Sequence, residues 1–207
     1  MSNANGYVED EEQLKRDLQW NISVETRNRE AGRRLFAALK AQGADPTTIL
    51  EIGCGIGTLL DEASMAGKKS VGFDTNQHAV EYGRSTFGAD LRCEHWSSRT
   101  LDERSDLTLC ISVLEHIAEP RPLIAEIARY CSKFGTRAFI SVPFVNRDKW
   151  HYLLNPDPTI PGTPFFDNDV HVTHFSRTGL ERCLVEYGAK GTHFLAAGLW
   201  EGIIADF

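Results

Sequence analysis

The chain has 207 residues, of which 42% are hydrophobic, so it can bury one sizeable core but is short for two independent α/β domains. Its formal net charge of −7 disfavours nucleic acid as a partner, because affinity for a phosphate backbone comes largely from clustered lysine and arginine. The first residues, MSNANGYVEDEEQLKRD, lack the basic and apolar regions of a secretory signal, and no later run approaches the ~18 apolar residues of a membrane span. We therefore expect one cytoplasmic domain that does not cross a membrane.

The cysteines are scattered singly along the chain, with no C-x-x-C pair. This pattern favours neither a zinc site nor a disulfide framework, and it lacks the closely spaced cysteines of an iron–sulfur motif. We expect all five to be small thiols packed in the core, namely Cys54, Cys93, Cys110, Cys131 and Cys183.

Helical and extended patterns alternate along most of the chain. Apolar residues recur at helical spacing from about residue 9 to 42, and Gly43 and Pro46 close that segment. Strands are then predicted at 47–53, 69–75, 89–95, 105–113 and 136–144, with helices between them at 58–66, 76–86 and 122–131. A helix at 176–188 and two short strands, GTHFLAA and LWEGIIADF, follow. Strands that alternate with helices across short turns predict a parallel, doubly wound α/β sheet.

The segment 143–175 differs in composition from its surroundings. It holds five of the chain's eight prolines, which exclude long regular structure. Six aromatic residues also lie there: Phe144, Trp150, Tyr152, Phe165, Phe166 and Phe175. A long aromatic loop in a compact domain is typical of a lid or a binding loop, so these rings form either an apolar wall for a substrate or a small core of the loop itself.

A glycine turn follows the first predicted strand, in the stretch ILEIGCGIGTLL. The glycines are Gly53, Gly55 and Gly57, and Glu51 comes two residues before the first of them. A dinucleotide fingerprint, G-x-G-x-x-G, requires its third glycine where this chain has Thr58, so the register does not fit NAD. A phosphate-binding loop of the G-K-[ST] type is also absent from the sequence.

Asp74 ends the second predicted strand, in the stretch VGFDTN. A carboxylate at this place can accept hydrogen bonds from both hydroxyls of a ribose, as in nucleotide-binding sheets. The alternative is that Asp74 caps the helix predicted at 76–86.

These motifs resemble those of class I S-adenosylmethionine-dependent methyltransferases over residues 45–190. ILEIGCGIGTLL is similar to their first motif and VGFDTN to their second. SDLTLCISVLEHIAEP resembles the strand-four motif of the branch that contains the 3-demethylubiquinone and related small-molecule O-methyltransferases. HVTHFSRTGLERCLVEYGA resembles the stretch that precedes and includes the family's late helix.

The resemblance implies a Rossmann-like fold in a single domain. We expect a seven-stranded, mostly parallel sheet with a C-terminal antiparallel hairpin and helices on both faces. Its parts would be an N-terminal helical segment or lid (1–44), a cofactor-binding core (45–142), a substrate loop (143–175), and a C-terminal helix and hairpin (176–207). Tyr7 and Trp20 either close over the cofactor or pack in the N-terminal segment.

The resemblance also implies S-adenosylmethionine as cofactor. Asp74 matches the ribose ligand, the turn from Gly53 to Gly57 matches the site of the amino-acid end, and Glu51 is expected to support the turn and the ammonium group. Ile111 and Ser112 are expected to line the methionine portion. The adenine is expected near Glu94, His95 and Trp96.

The expected reaction is transfer of a methyl group to an oxygen or nitrogen of a small-molecule acceptor, with release of S-adenosylhomocysteine. Because the leaving group is built into the cofactor, the protein mainly aligns the reactants and a general base is optional. His171 and His174 are the candidates for a base or a substrate-orienting group, or else histidines hydrogen-bonded in a loop. Glu115 and His116 are expected to hold the following loop and helix in place through hydrogen bonds, with acid–base catalysis as the alternative.

Several alternatives remain open at this stage. Asp167, Asp169, His171 and His174 offer oxygen and nitrogen ligands, but such spacing is common by chance in polar loops, so we expect no metal. Two functions remain as alternatives to methylation of a small molecule: an RNA or protein methyltransferase, and a non-catalytic module that binds S-adenosylmethionine. The sequence leaves a homodimer open.

Overall fold

The computed structural model describes residues 10–99, 101–144 and 171–207. Seven residues of the sequence interpretation lie outside this part of the chain: Tyr7, Trp150, Tyr152, Phe165, Phe166, Asp167 and Asp169. So does most of the predicted substrate loop. The chain divides into two compact units, Met1–Trp96 and Ser97–Phe207. The expectation of a single domain stays a prediction.

From residue 10 onward, the first unit carries three parallel strands and four helices. In chain order they are α1 (Glu11–Ser23), α2 (Glu25–Ala41), β1 (Thr48–Ile52), α3 (Thr58–Met65), β2 (Lys69–Asp74), α4 (Gln77–Phe87) and β3 (Leu91–Cys93). β2 lies between β1 and β3 and pairs in parallel with both. The helical segment predicted from residue 9 to 42 is two helices, which divide at Val24.

Local capping explains where helices of this unit begin and end. Asp10 caps α1 through its side chain, which accepts a hydrogen bond from the backbone N–H of Glu12. Asn76 caps α4 in the same way, accepting from the N–H of Ala79 at 3.1 Å, and Gly88 ends α4 in the left-handed conformation. Helix α1 contains no buried residue, whereas Leu35 and Leu39 of α2 are fully buried.

The second unit carries the remaining strands. Its elements are β4 (Leu107–Ile111), a 3₁₀ turn (Leu114–His116), α5 (Arg121–Phe134), β5 (Arg137–Ser141), α6 (Arg177–Glu186), β6 (Gly191–Ala197) and β7 (Trp200–Asp206). β4 and β5 are parallel, and β7 is antiparallel to both β5 and β6. The hairpin of β6 and β7 therefore joins the sheet through its second strand.

These strands form a seven-stranded, mostly parallel sheet with an antiparallel C-terminal hairpin and helices around it, so the predicted fold is confirmed. Each of the strands β1 to β5 is shorter than predicted, and β4 keeps only Leu107–Ile111 of the predicted 105–113. β3 has three residues in place of the predicted 89–95, and β5 ends at Ser141, before Pro143.

The cysteine prediction is correct in part. Cys54, Cys110 and Cys131 are buried thiols, and none of the five cysteines forms a disulfide. Cys93 is exposed because β3 ends there, so its assignment to the core was wrong, and Cys183 is half-buried. Within residues 10–99, 101–144 and 171–207, no helix is both long enough and apolar enough to cross a membrane.

Candidate active site

The glycine turn lies between β1 and α3 in the first unit. Gly53, Gly55 and Gly57 have φ angles of 71°, 53° and 75°, a left-handed conformation that favours glycine. The N–H groups of Gly53 and Cys54 both donate to the carbonyl of Phe73, at 2.8 and 3.2 Å. The turn is therefore fixed against the carboxyl end of β2. A Cβ on Gly57 would lie 2.9 Å from Cδ2 of Leu91, so this position also requires glycine for space.

Asp74 is held against this turn by two backbone amides. Its Oδ2 accepts a hydrogen bond from the N–H of Gly55 at 2.7 Å, and its Oδ1 accepts one from the N–H of Asn76 at 2.8 Å. Because Asn76 caps α4, Asp74 is not the cap of that helix, and the alternative interpretation was wrong. A carboxylate has about four acceptor positions, so Asp74 retains capacity for further donors.

Glu51 is a second acid beside the turn. It is 4% exposed, and its Oε2 has no hydrogen-bond partner among the described residues. Burial raises the pKa of Glu51 well above its ordinary range, and the nearby Asp74 raises it further. Burial also raises the pKa of Asp74, against the amide hydrogen bonds from Asn76 and Gly55 that lower it. The fold thus holds two acids at one turn at an electrostatic cost.

Helix α1 lies over the same turn. Oδ1 of Asn21 is 2.7 Å from the position that a Cβ on Gly55 would occupy. Two contacts hold α1 to the start of α4. Nδ2 of Asn76 donates to the carbonyl of Leu14 at 2.9 Å, and the His78 ring lies 2.9 Å from the Glu11 carboxylate.

The predicted adenine contacts follow β3. Glu94 and His95 are exposed, whereas Trp96 is 7% exposed. Trp20 of α1 is 62% exposed and contacts Arg27 of α2, whose guanidinium carbon lies 5.8 Å from the centre of the indole ring, and closure of Trp20 over a cofactor stays a prediction. The roles of Glu94, His95 and Trp96 also stay predictions.

In the second unit, Ile111 ends β4 as a buried residue and Ser112 follows it. Ser112 has φ 54°, the one positive φ at a non-glycine residue among those the structure describes. Its N–H donates to the carbonyl of Ser141 at 2.9 Å, which fixes this backbone beside the end of β5. Strained positions of this kind cluster at functional sites, so the geometry is compatible with the predicted role in lining the methionine portion.

Glu115 connects the 3₁₀ turn to the segment that begins at His171. Its backbone carbonyl accepts hydrogen bonds from the N–H groups of Val172 and Thr173, at 2.8 and 3.1 Å. The hydroxyl of Thr173 adds a bond to the carbonyl of Ile117 at 2.6 Å. These bonds join the Glu115 main chain to residues 172–173, whereas the expected role of Glu115 and His116 in holding the following loop and helix stays a prediction.

Three polar side chains meet at this connection. The ligand atoms of Glu115, His116 and His171 all lie within 4.8 Å of one another, and the two imidazole rings are edge to face with centroids 4.9 Å apart. Burial raises the pKa of the Glu115 carboxyl to about 7. Burial also lowers the pKa of His171, as do the neighbouring His116 and His174. His174 itself is exposed.

Comparison with a family model decides the assignment of the whole chain. A model described as a methyltransferase domain matches residues 23–193. The chain belongs to this methyltransferase domain family. The family predicted from the glycine turn and from VGFDTN is thereby confirmed.

The methyltransferase domain has curated relatives among bacterial enzymes. It is 31% identical over 123 residues to the ubiquinone biosynthesis O-methyltransferase of Aeromonas salmonicida, across 56% of this chain and 50% of that protein. The ubiquinone biosynthesis O-methyltransferase of Haemophilus ducreyi is 30% identical over 132 residues, across 58% of this chain and 54% of that protein. The chain therefore spans about half the length of the curated relatives it matches.

Solved structures agree on the fold. Human N-acetylserotonin methyltransferase, crystallised in complex with S-adenosylmethionine, aligns with a TM-score of 0.67 and 16% identity, over 93% of this chain and 56% of that one. The magnesium protoporphyrin IX methyltransferase of Synechocystis PCC 6803, with bound S-adenosylhomocysteine, aligns with a TM-score of 0.60 and 18% identity, over 98% of this chain and 88% of that one. At these identities the likeness shows the class I methyltransferase fold.

In the methyltransferase domain, the residues at the glycine turn were predictable from the sequence, whereas one grouping of side chains was not. Glu51, the three glycines and Asp74 come together as predicted. His171 and His174 are predicted as first and second candidates for a base, and the structure places His171 beside Glu115 and His116, a grouping that was not predicted. The signal available in the sequence was the E-H pair that follows β4, at the carboxyl end of a parallel strand where sites of such sheets lie.

Proposed function

We propose that this methyltransferase domain binds S-adenosylmethionine over the turn from Gly53 to Gly57 and transfers its methyl group to a small-molecule acceptor. The acceptor atom is an oxygen or a nitrogen, and S-adenosylhomocysteine is released. The observation that carries this proposal is the hydrogen bond of 2.7 Å from the Gly55 N–H to Asp74. It fixes a carboxylate suited to a ribose directly beside the glycine turn.

The residues at the turn fit the proposed cofactor. Asp74 has acceptor positions left for two ribose hydroxyls. The buried, unpartnered Oε2 of Glu51 would accept from the ammonium of the methionine end. Neither acid forms an ion pair with a described residue, so a cationic ligand would offset the cost of holding both near the turn. Ile111 and Ser112 are proposed for the methionine portion, and Glu94, His95 and Trp96 for the adenine.

The protein's contribution to the reaction is alignment and exclusion of water. Bound S-adenosylmethionine supplies a methyl group on a sulfonium, whose departure as a neutral sulfide makes an in-line displacement favourable. An amine acceptor then needs only to be neutral, whereas a hydroxyl gains from losing its proton to a base. We propose His171 as the group that orients the acceptor or takes this proton, with His174 second.

A small-molecule acceptor is favoured over the alternatives. The curated relatives are named as ubiquinone biosynthesis O-methyltransferases, and this name favours a hydroxyl on a small molecule. The net charge of −7 disfavours RNA. A cytoplasmic location and a homodimer stay predictions.

Calorimetric titration with S-adenosylmethionine and S-adenosylhomocysteine tests cofactor binding. Wild-type protein should bind about one equivalent of each. Asp74→Ala should bind at least about tenfold more weakly, since it removes two charge-assisted hydrogen bonds. Asp90→Ala is the matched control, because Asp90 belongs to the same unit with a side chain that is 61% exposed. Absence of binding to folded wild-type protein would refute the proposal.

Turnover distinguishes an enzyme from a binding module. Release of S-adenosylhomocysteine should be measured with a panel of phenols, alcohols and amines, on wild type and on His171→Ala. Turnover of one class of acceptor supports methyl transfer, and unchanged kinetics in folded His171→Ala would remove His171 from the mechanism. Tight cofactor binding without turnover of any acceptor would favour the non-catalytic module.

A further inference from the structure

We propose that Glu115, His116 and His171 form a binding site for a divalent transition-metal cation. The site lies within the second unit and is distinct from the glycine turn that carries the proposed function. From the sequence we expected no metal. The ligands considered there were His171, His174 and two aspartates of the 143–175 segment, whereas this site combines His171 with Glu115 and His116.

The geometry of the three side chains is close to that of a metal site. Their ligand atoms lie within 4.8 Å of one another. Around a tetrahedral ion with bonds of about 2.1 Å, ligand atoms lie about 3.4 Å apart. The ligand atoms would therefore have to come closer together by up to about 1.4 Å to bind one ion.

The backbone holds this arrangement in place. His171 is distant from Glu115 in sequence, yet the residues that follow it, Val172 and Thr173, donate their N–H groups to the Glu115 carbonyl. His116 is adjacent to Glu115 on the same 3₁₀ turn. The two chain segments that supply the ligands are thus hydrogen-bonded to each other, so the site is preorganised before an ion binds.

The state of Glu115 is a second, independent observation that points to a cation. Its side chain is part of a residue that is 2% exposed, and neither carboxylate oxygen makes a hydrogen bond of ordinary length and angle among the described residues, although the nearby Ser112 side chain lowers the carboxyl pKa that burial raises. A buried carboxylate without partners is costly and is usually paired or bound to a metal. No lysine or arginine of the described chain forms an ion pair with Glu115, so a bound cation is the partner that fits.

The donor set selects the class of metal. One carboxylate and two imidazoles suit zinc, iron, cobalt or manganese, whereas magnesium and calcium prefer oxygen ligands alone. Three protein ligands leave at least one coordination position open to water or to an oxygen of a bound molecule. A metal-bound imidazole cannot also accept a proton, so occupation of this site would give His171 an orienting role and not that of a base.

Titration with metal alone tests this inference without S-adenosylmethionine or an acceptor, so its outcome is independent of the proposed function. Protein treated with EDTA and dialysed would be titrated with ZnCl₂ and with CoCl₂, the latter also followed by its visible absorption. MgCl₂ serves as the comparison cation. We expect about one equivalent of Zn²⁺ or Co²⁺ per chain and far weaker binding of Mg²⁺.

Substitutions connect the binding to this cluster. Glu115→Gln, His116→Asn and His171→Asn should each weaken Zn²⁺ binding at least about tenfold. His193→Asn is the control, because His193 is an exposed histidine on β6. Circular dichroism would verify the fold of each variant. If buried Glu115→Gln does not fold, the two histidine variants carry the test.

Two outcomes would overturn the site. One is the absence of Zn²⁺ and Co²⁺ binding by the wild-type protein. The other is Zn²⁺ binding that does not depend on the cluster. Folded variants of Glu115, His116 and His171 would then bind as tightly as wild type, or His193→Asn would weaken binding as much as they do, and the ion would lie elsewhere on the protein.

Discussion

Oδ1 of Asn21, on α1, lies 2.7 Å from the point that a Cβ on Gly55 would occupy. The glycine turn is therefore restricted twice, by its backbone conformation and by the helix above it. At Gly55 the φ of 53° is the first restriction and the Asn21 side chain is the second.

Gly55→Ala should destabilise the protein more than Gly67→Ala does. Gly67 has φ 74° and nothing within 4 Å of its added Cβ, so alanine there adds conformational strain alone, of about 1–2 kcal/mol. Alanine at position 55 adds the same strain and a contact with Asn21. Urea unfolding of both variants measures the difference. Asn21→Ala combined with Gly55→Ala should recover the excess, and equal losses in the two single variants would show that α1 does not press on the turn.

Glu51→Gln should flatten the pH dependence of stability. The pKa of Glu51 in the folded protein lies well above its ordinary value of 4.5, so between these two values the folded state keeps a proton that the unfolded state has released. Stability therefore falls as pH rises through this window. Glutamine carries no such proton, so the fall in stability should shrink, leaving the contributions of Asp74 and Glu115, whose pKa values are also raised by burial.

Urea unfolding between pH 5 and pH 8 measures this slope, with Glu81→Gln as the control because Glu81 is exposed on α4. The glutamine variant should also bind S-adenosylmethionine more weakly, since it loses the charge proposed to receive the ammonium. An identical slope in wild type and Glu51→Gln would contradict the burial argument.

Arg29→Ala should cost about 3 kcal/mol of unfolding free energy. Arg29 pairs with Asp61 at 2.7 Å and with Glu62 at 3.1 Å, and the Glu62 side chain is 5% exposed. Removal of the guanidinium leaves buried negative charge on α3 that Arg33 compensates only in part. Arg34→Ala breaks a pair with Glu30 in which both side chains are more than half exposed, and it should cost less than about 0.5 kcal/mol. Urea unfolding measures both losses of free energy. Similar losses in Arg29→Ala and Arg34→Ala would show that the buried ion pairs stabilise the fold no more than the exposed one.

Tyr130→Phe should destabilise the second unit. The Tyr130 hydroxyl donates to the carbonyl of Glu103 at 2.6 Å and accepts from the N–H of Ser105 at 3.0 Å. Phenylalanine leaves that N–H without its partner in a fully buried position, at a cost of about 1–3 kcal/mol. Thermal unfolding compared with Tyr82→Phe, a substitution at a half-buried tyrosine, checks the effect. Equal melting temperatures of the two variants would exclude a structural role for the Tyr130 hydroxyl.

The sheet was predictable because its central strands are buried on both faces. Every residue of Leu107–Ile111 is buried, which produces the continuous apolar run visible in the sequence. The glycine turn was predictable because a left-handed backbone at every second position requires a regular spacing of glycine.

Two features could not be predicted from local patterns. The division of α1 from α2 at Val24 involves neither glycine nor proline, and the helical periodicity continues through it. The approach of His171 to Glu115 and His116 depends on hydrogen bonds between distant segments, which periodicity does not encode.

Helix α1 covers the glycine turn and contains no buried residue, so the rate at which this helix opens should limit how long a ligand stays on the turn. Little apolar area anchors this helix, so its local opening costs less free energy than opening of α2 or β1, and its amides should exchange with solvent sooner. A ligand on the turn would then depart whenever α1 opens, without loss of the sheet. Its residence time could be altered through Asn76 or His78, which hold α1, while the residues that bind the ligand stay unchanged.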